Sequence, residues 1–195
     1  MKIIFATGNM GKLAEASEIL GQGFELVTPA QMGITEEIPE TGDTLRANSL
    51  QKAEYIYQKT GLDCFADDSG LEVDALGGAP GVYSARYAGD HCSFDDNIEK
   101  LLGELEKHPG EPRTARFRTV VTLLTGGEPH FFDGVVEGKI AFERSGTRGF
   151  GYDPIFVPDA FAPKTFSEIG GEEKNAISHR GQCLRAMAAW MAENL

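Results

Sequence analysis

The first twenty residues constrain the fold most. Lys2 to Thr7 is a short, nearly unbroken apolar run, Gly8 to Gly11 is a glycine-bounded turn, and Lys12 to Leu20 places Leu13, Ala16 and Leu20 on one helical face. Lys2 to Thr7 reads as a buried strand and Lys12 to Leu20 as a helix with one apolar face. The chain therefore opens as strand, loop and helix, which points to a layered α/β architecture.

The remainder fits that frame. Phe24 to Thr28 reads as a second strand. An acidic loop through Glu36, Glu37, Ile38, Pro39, Glu40, Thr41 and Gly42 leads to a long helix from about Thr44 to Lys59, with Asp43 as N-cap and Gly61 as stop. Cys64 to Ala66 is predicted as a short strand delivering Asp67-Asp68-Ser69-Gly70 to its C-terminal end. Ser93 and Asp96 form a capping-box start for a helix bearing Ile98, Leu101, Leu102 and Leu105. Ala115, Phe117, Thr119, Val121 and Leu123 alternate, Gly126-Gly127 marks a hairpin, and Ile155 to Val157 reads as a strand. The tail from about Ser178 to Glu193 is helical. The expected architecture is a mixed sheet flanked by helices, in a single domain spanning 1–195.

A formal charge of -12 argues against general affinity for nucleic-acid backbones, which needs clustered Lys and Arg, and leaves room for a small anionic substrate where basic residues cluster locally. No apolar run approaches the roughly 20 residues needed to span a bilayer, so no membrane partner is expected. The three cysteines, Cys64, Cys92 and Cys183, form no C-x-x-C pair, which suggests neither a disulfide framework nor a zinc site and fits a reducing cytoplasm.

Four segments carry polar chemistry. In Thr7-Gly8-Asn9-Met10-Gly11-Lys12, backbone N–H groups, a helix N-terminus and a lysine suit a phosphate, although the spacing is not that of a Walker loop and equally suits a plain turn. Asp67-Asp68-Ser69-Gly70 and Glu40 offer hard carboxylate oxygens for Mg²⁺, yet Asp-Asp-Ser-Gly is also an ordinary turn. Arg148 to Pro154 combines glycines with aromatic rings and a carboxylate, suited to a base or to a plain turn before a strand. Lys174, His179 and Arg180 gather three basic groups around a helix start.

Together T-G-N-x-x-K, A-D-D-S-G-L, G-F-G-Y-D-P, K-N-A-I-S-H-R-G and the stretch Gly77 to Tyr87 resemble the inosine/xanthosine triphosphate pyrophosphatase family. The resemblance implies an elongated mixed sheet, two lobes with an active-site cleft, and a homodimer. It implies hydrolysis of ITP, dITP and XTP to the monophosphate and pyrophosphate, with Mg²⁺ as cofactor. Carried over by residue, Thr7, Gly8, Asn9, Met10, Gly11 and Lys12 would cradle the triphosphate and Ser69 would touch phosphate. Asp68 would be proton acceptor and, with Glu40, metal ligand. Phe150, Gly151, Tyr152, Asp153, Lys174, His179 and Arg180 would form the base and phosphate pocket, bordered by Arg86. A pyrophosphatase for other modified nucleotides and a catalytically silent nucleotide-binding module remain as rivals.

Overall fold

The computed structural model describes residues 1 to 195. In chain order the elements are β1 (Lys2–Phe5), α1 (Met10–Leu20), β2 (Glu25–Val27), α2 (Leu45–Thr60), β3 (Cys64–Val73), β4 (Pro80–Gly81), α3 (Phe94–Glu106), β5 (Thr114–Thr125), β6 (Glu128–Ile140), β7 (Phe156–Pro158), α4 (Gly171–Ile177) and α5 (His179–Asn194). The strands pair in the order β2-β1-β3-β5-β6-β7, with β4 also on β3. β1 runs parallel to β2 and β3, whereas β4 is antiparallel to β3 and β7 to β6. The sheet is therefore mixed, and the α/β class expected from the opening strand and helix holds.

The chain divides into two compact units, one of residues 1–68, 119–134 and 179–195, the other of 69–118 and 135–178. In the first, strand periodicity sorts side chains onto two covered faces. Ile3 and Phe5 of β1, Phe65 of β3, and Val121 and Leu123 of β5 pack with Ala16 of α1 and with Cys183, Leu184 and Met187 of α5. Their strand neighbours Ile4, Ala6, Cys64, Ala66 and Leu124 pack instead with Ala53 and Ile56 of α2. Cover on both faces explains why β1 shows no polar alternation.

In the second unit Leu71, Val73, Ala115, Phe117, Val136 and Ile140 bury against Ile98, Leu101 and Leu105 of α3 and against Phe156 and Phe166. The intervening residues are charged and bridge neighbouring strands: Arg118 Nε donates to Glu72 at 3.1 Å and Arg116 Nε to Glu137 at 3.1 Å.

Local signals were mostly obeyed. Gly126 and Gly127 turn the hairpin with φ of 57° and 86°, Gly61 ends α2 at φ 66°, and Ser93 and Asp96 exchange both bonds of the capping box. β1 ends at Phe5, α1 begins at Met10 inside the expected turn, β2 is confined to Glu25–Val27, and four further differences bear on the site. Thr44, not Asp43, caps α2, because the Thr44 side chain accepts the Ala47 N–H. β3 does not stop at Ala66 but runs to Val73, because Leu71 and Val73 enter the second core and Leu71 pairs with Gly81. Asp67 and Asp68 are therefore within a strand and not beyond its end. β7 begins at Phe156, after a 3₁₀ turn over Asp153–Ile155. Finally, the basic segment contains a helix of its own, α4, which the extended Ser178 separates from α5.

Candidate active site

In the first unit the glycine loop is organised by Asn9. Thr7 Oγ1 accepts the Asn9 N–H at 3.1 Å, and Asn9 Oδ1 accepts those of Gly11 at 2.9 Å and Lys12 at 3.1 Å. Asn9 is thus the N-cap of α1, and three of the backbone donors that the loop would offer to a phosphate, the N–H groups of Asn9, Gly11 and Lys12, are already engaged. Gly8 has open space where a side chain would stand.

Asp67 anchors a buried ion network. Its Oδ1 meets Lys12 Nζ at 2.9 Å and its Oδ2 meets Arg180 Nε at 2.9 Å, while Arg180 Nη1 reaches Glu15 Oε2 at 2.5 Å. Burial pushes the Asp67 carboxyl up, but Lys12, Arg180 and Lys52 pull it further down, so it lies well below the usual carboxylate range. Burial lowers the Lys12 ammonium, aided by Lys52 and Arg180 and opposed by Asp67. Arg180, only 2% exposed, is raised: burial works against its charge, and Asp67 and Glu15 outweigh burial.

Asp68 is treated differently. Its Oδ1 lies 3.7 Å from Lys52 Nζ, and its Oδ2 is buried without a hydrogen-bond partner. Burial, helped by Glu40 and Asp67, raises its pKa against the pull of Lys52 and Lys12. Lys52 also donates to Glu40 Oε1. The Glu40 loop is held on α2 by Thr41 N–H donating to Gln51 Oε1 at 2.8 Å and Gly42 N–H to Asn48 Oδ1 at 2.7 Å. A Cβ at Gly42 would stand 2.7 Å from that of Ala47, so the approach requires glycine. His179, first residue of α5, is buried, and its carbonyl would lie 2.1 Å from a Cβ on Gly134.

In the second unit Asp153 Oδ2 accepts Lys174 Nζ at 2.6 Å and the Phe150 N–H at 3.1 Å. Lys174 Nζ also lies 5.1 Å from the Phe150 ring centroid, within cation–π range. Tyr152 is buried in the core, and its hydroxyl donates to the Ser84 carbonyl at 2.7 Å. Tyr152 therefore braces the loop from within, and of its two rings Phe150 is the half-exposed one. Gly151, at φ 62°, has open space. Ser69 lies half-buried on β3, and the Arg86 guanidinium sits 5.1 Å from the Tyr83 ring.

The sequence motifs thus resolve into two clusters. Thr7 to Lys12, Glu40, Asp68, His179 and Arg180 belong to the first unit. Ser69, Arg86, Phe150 to Asp153 and Lys174 belong to the second. Glu15 and Lys52 went unnoticed in the sequence. Their available signal was charge at inward positions: Lys52 shares the buried stripe of α2 with Asn48, Ser49, Ala53 and Ile56.

These features define an α/β protein with a buried carboxylate and lysine cluster behind a capped glycine loop. More particularly, the chain belongs to the Ham1 family, whose profile matches residues 3–190. A Flavobacterium johnsoniae protein named dITP/XTP pyrophosphatase is 48% identical over 187 residues, 96% of each chain. A Porphyromonas gingivalis protein of the same name is 52% identical over 179 residues, 92% of this chain and 91% of the other. Among solved structures, a HAM1 protein from Coxiella burnetii superposes with a TM-score of 0.89 at 40% identity, covering 99% of both chains. The Staphylococcus aureus Ham1 protein gives 0.86 at 36% identity over the whole of both.

Proposed function

We propose that this chain hydrolyses non-canonical purine nucleoside triphosphates, ITP, dITP and XTP, to the monophosphate and pyrophosphate. The supporting names come from relatives that match it over nearly their full length. The observation that carries the chemistry is Asp68 Oδ2, a buried carboxylate oxygen with no hydrogen-bond partner, on a side chain whose proton affinity is raised.

The donor set fits Mg²⁺. Three cations of the cluster, Lys12, Lys52 and Arg180, already face four carboxylates, Glu15, Glu40, Asp67 and Asp68. The protein's own charge is spoken for, and a triphosphate entering there requires a counter-ion. No group of three or more His, Cys, Asp or Glu is placed to hold a metal alone. Mg²⁺ is typically bound through one or two carboxylates, waters and substrate phosphates, and Asp68 and Glu40 would be the protein ligands here. When bound, it supplies neutralisation of phosphate charge and a lowered pKa for a nearby water.

Asp68 Oδ2 takes the proton of the attacking water as its oxygen adds to the α-phosphorus, and pyrophosphate departs in line. Lys52 holds Asp68 and Glu40 in place from α2. Asp67 fixes Lys12 beside the phosphate loop. No covalent intermediate is required. In the second unit the half-exposed Phe150 ring offers a stacking face for the base, held by its N–H bond to Asp153. Buried N–H donors facing the base would suit the 6-keto oxygen of hypoxanthine and xanthine and oppose the 6-amino group of adenine. A site that pairs a polar group disfavours the mismatched analogue because buried donors are left unpaired.

A homodimer acting in the cytoplasm completes the reading. No helix is long and apolar enough to cross a membrane. The test is product analysis with Mg²⁺ on ITP, XTP, dITP, ATP and GTP. Pyrophosphate from the first three, with little from ATP or GTP, is the expected result. Orthophosphate release or equal turnover of all five would overturn the proposal.

A further inference from the structure

Helix α3 begins with an aromatic residue that the fold does not use. Ser93 Oγ accepts the Asp96 N–H at 3.0 Å and Asp96 Oδ2 accepts the Ser93 N–H at 2.8 Å, so the backbone entering Phe94 is fixed. The Phe94 ring is nevertheless 51% exposed and stands outside the core of its unit. Helix formation does not ask for it, since aromatic residues rank below straight-chain ones in helix propensity and the capping box is complete without a ring.

The ring's partner is Phe150, with centroids 6.1 Å apart and planes at 41°. The arrangement is tied down from both sides. Arg144, just before the Phe150 loop, reaches Asp95 Oδ1 at 2.5 Å and Glu99 Oε1 at 2.6 Å on the first turns of α3. Lys174 lies over the Phe150 ring and pairs with Asp153. Two aromatic rings are thus held side by side at the surface of the second unit, with a cation against one of them.

We infer that Phe94 contacts the substrate, forming with Phe150 an aromatic wall for the nucleobase and favouring a two-ring purine over a one-ring pyrimidine. The inference rests on the proposed nucleotide site and adds a residue outside the motifs that suggested that site. A bicyclic base overlaps both rings, whereas a pyrimidine seated on Phe150 gains little from the second.

The test compares Phe94→Ala and Phe94→Tyr with the wild type on ITP and dUTP, and titrates Phe94→Trp with IMP. Base stacking on an aromatic ring is strong enough that Phe94→Ala should raise KM for ITP by about tenfold while kcat stays within about twofold. Phe94→Tyr should restore KM, kcat/KM for dUTP should change little, and IMP should quench the Phe94→Trp emission. An unchanged KM in Phe94→Ala, a kcat loss without a KM change, or Trp emission indifferent to IMP would each overturn the inference. If the wild type releases no pyrophosphate from ITP, the proposed activity fails by itself, and the IMP titration still decides whether Phe94 meets the base.

Discussion

Asp67 and Asp68 are consecutive on β3, yet they serve opposite faces of the sheet: Asp67 meets Lys12 of α1 and Arg180 of α5, and Asp68 meets Lys52 of α2. The two-residue period of a strand produces this division. One carboxylate is saturated and held ionised. The other keeps an unpartnered oxygen and a raised proton affinity. Adjacent residues of one type therefore have different surroundings, and the one proposed as proton acceptor is the one with an unpartnered oxygen.

Removing the reactive charge should separate activity from stability. Asp68→Asn keeps the shape but cannot accept a proton, so kcat for ITP should fall by roughly 10² to 10⁴. Because burial makes the ionised Asp68 costly, the neutral amide should leave thermal stability unchanged or slightly higher. Pyrophosphate release and a melting curve on the same preparation check both. Near-normal turnover would remove Asp68 as proton acceptor.

Asp67→Asn should do the reverse. Removing one partner of a buried pair leaves Arg180 and Lys12 short of compensating charge, at a cost of about 3 to 5 kcal/mol. Denaturant unfolding should show this loss. Turnover measured well below the melting temperature should retain more of its wild-type value than Asp68→Asn does. A variant as stable as the wild type would show that the network contributes nothing net.

The same network makes stability depend on acid. Asp67 has a folded pKa below its unfolded value of about 3.9, so its contribution is fully present above that value. It is lost as pH falls towards the folded pKa, because the unfolded chain then binds the proton more readily. Asp68, with a raised folded pKa, contributes with the opposite sign. Unfolding free energy measured from pH 6 down to pH 3 should decline in the wild type, and the decline should be shallower in Asp67→Asn. Parallel curves would place the acid sensitivity elsewhere.

Much of this was legible in the sequence, and the failures have physical causes. The opening strand and helix, the Ser93 box and the Gly-Gly hairpin are read from neighbours a few residues apart, where covalent geometry and capping decide. The extent of β3 is not local: Ser69-Gly70 resembles a break, and what overrides it is the burial of Leu71 and Val73 against α3, some 25 residues further on. The face each aspartate takes depends on that extension. Asp43 and Thr44 are both good caps, and only the realised backbone selects Thr44. Lys52 stayed hidden because the buried stripe of α2 is itself polar, and Phe94 because a lone aromatic at a helix start carries no pattern.

The Phe150 loop should be intolerant at one glycine and tolerant at the next. Gly149 has φ 75°, and a Cβ there would lie 2.1 Å from Asp153 Oδ2, the atom that accepts Lys174 and the Phe150 N–H. Gly151 has φ 62° but open space. Gly151→Ala should cost about 1 to 2 kcal/mol from backbone strain alone. Gly149→Ala adds displacement of Asp153 and should cost more, with a higher KM for ITP. Unfolding and kinetics of the two alanine variants check the order, and equal effects would show that Asp153 can move without consequence.

The cysteines give a test of the core that needs no mutation. Burial, aided by Asp63, pushes the Cys64 thiol up to about 12, and burial, aided by Asp67 and Asp133, does the same for Cys183. At pH 8 a thiol of pKa near 12 is only about 10⁻⁴ thiolate, and the thiolate is the reacting form. Cys92 is partly exposed before α3, its thiol donating to Asn97 Oδ1 at 3.2 Å. A disulfide reagent at pH 8 should therefore titrate one thiol per native chain promptly, Cys92, and all three after denaturation. Prompt reaction of two or three native thiols would mean that the sheet faces around Cys64 and Cys183 open far more often than their packing allows.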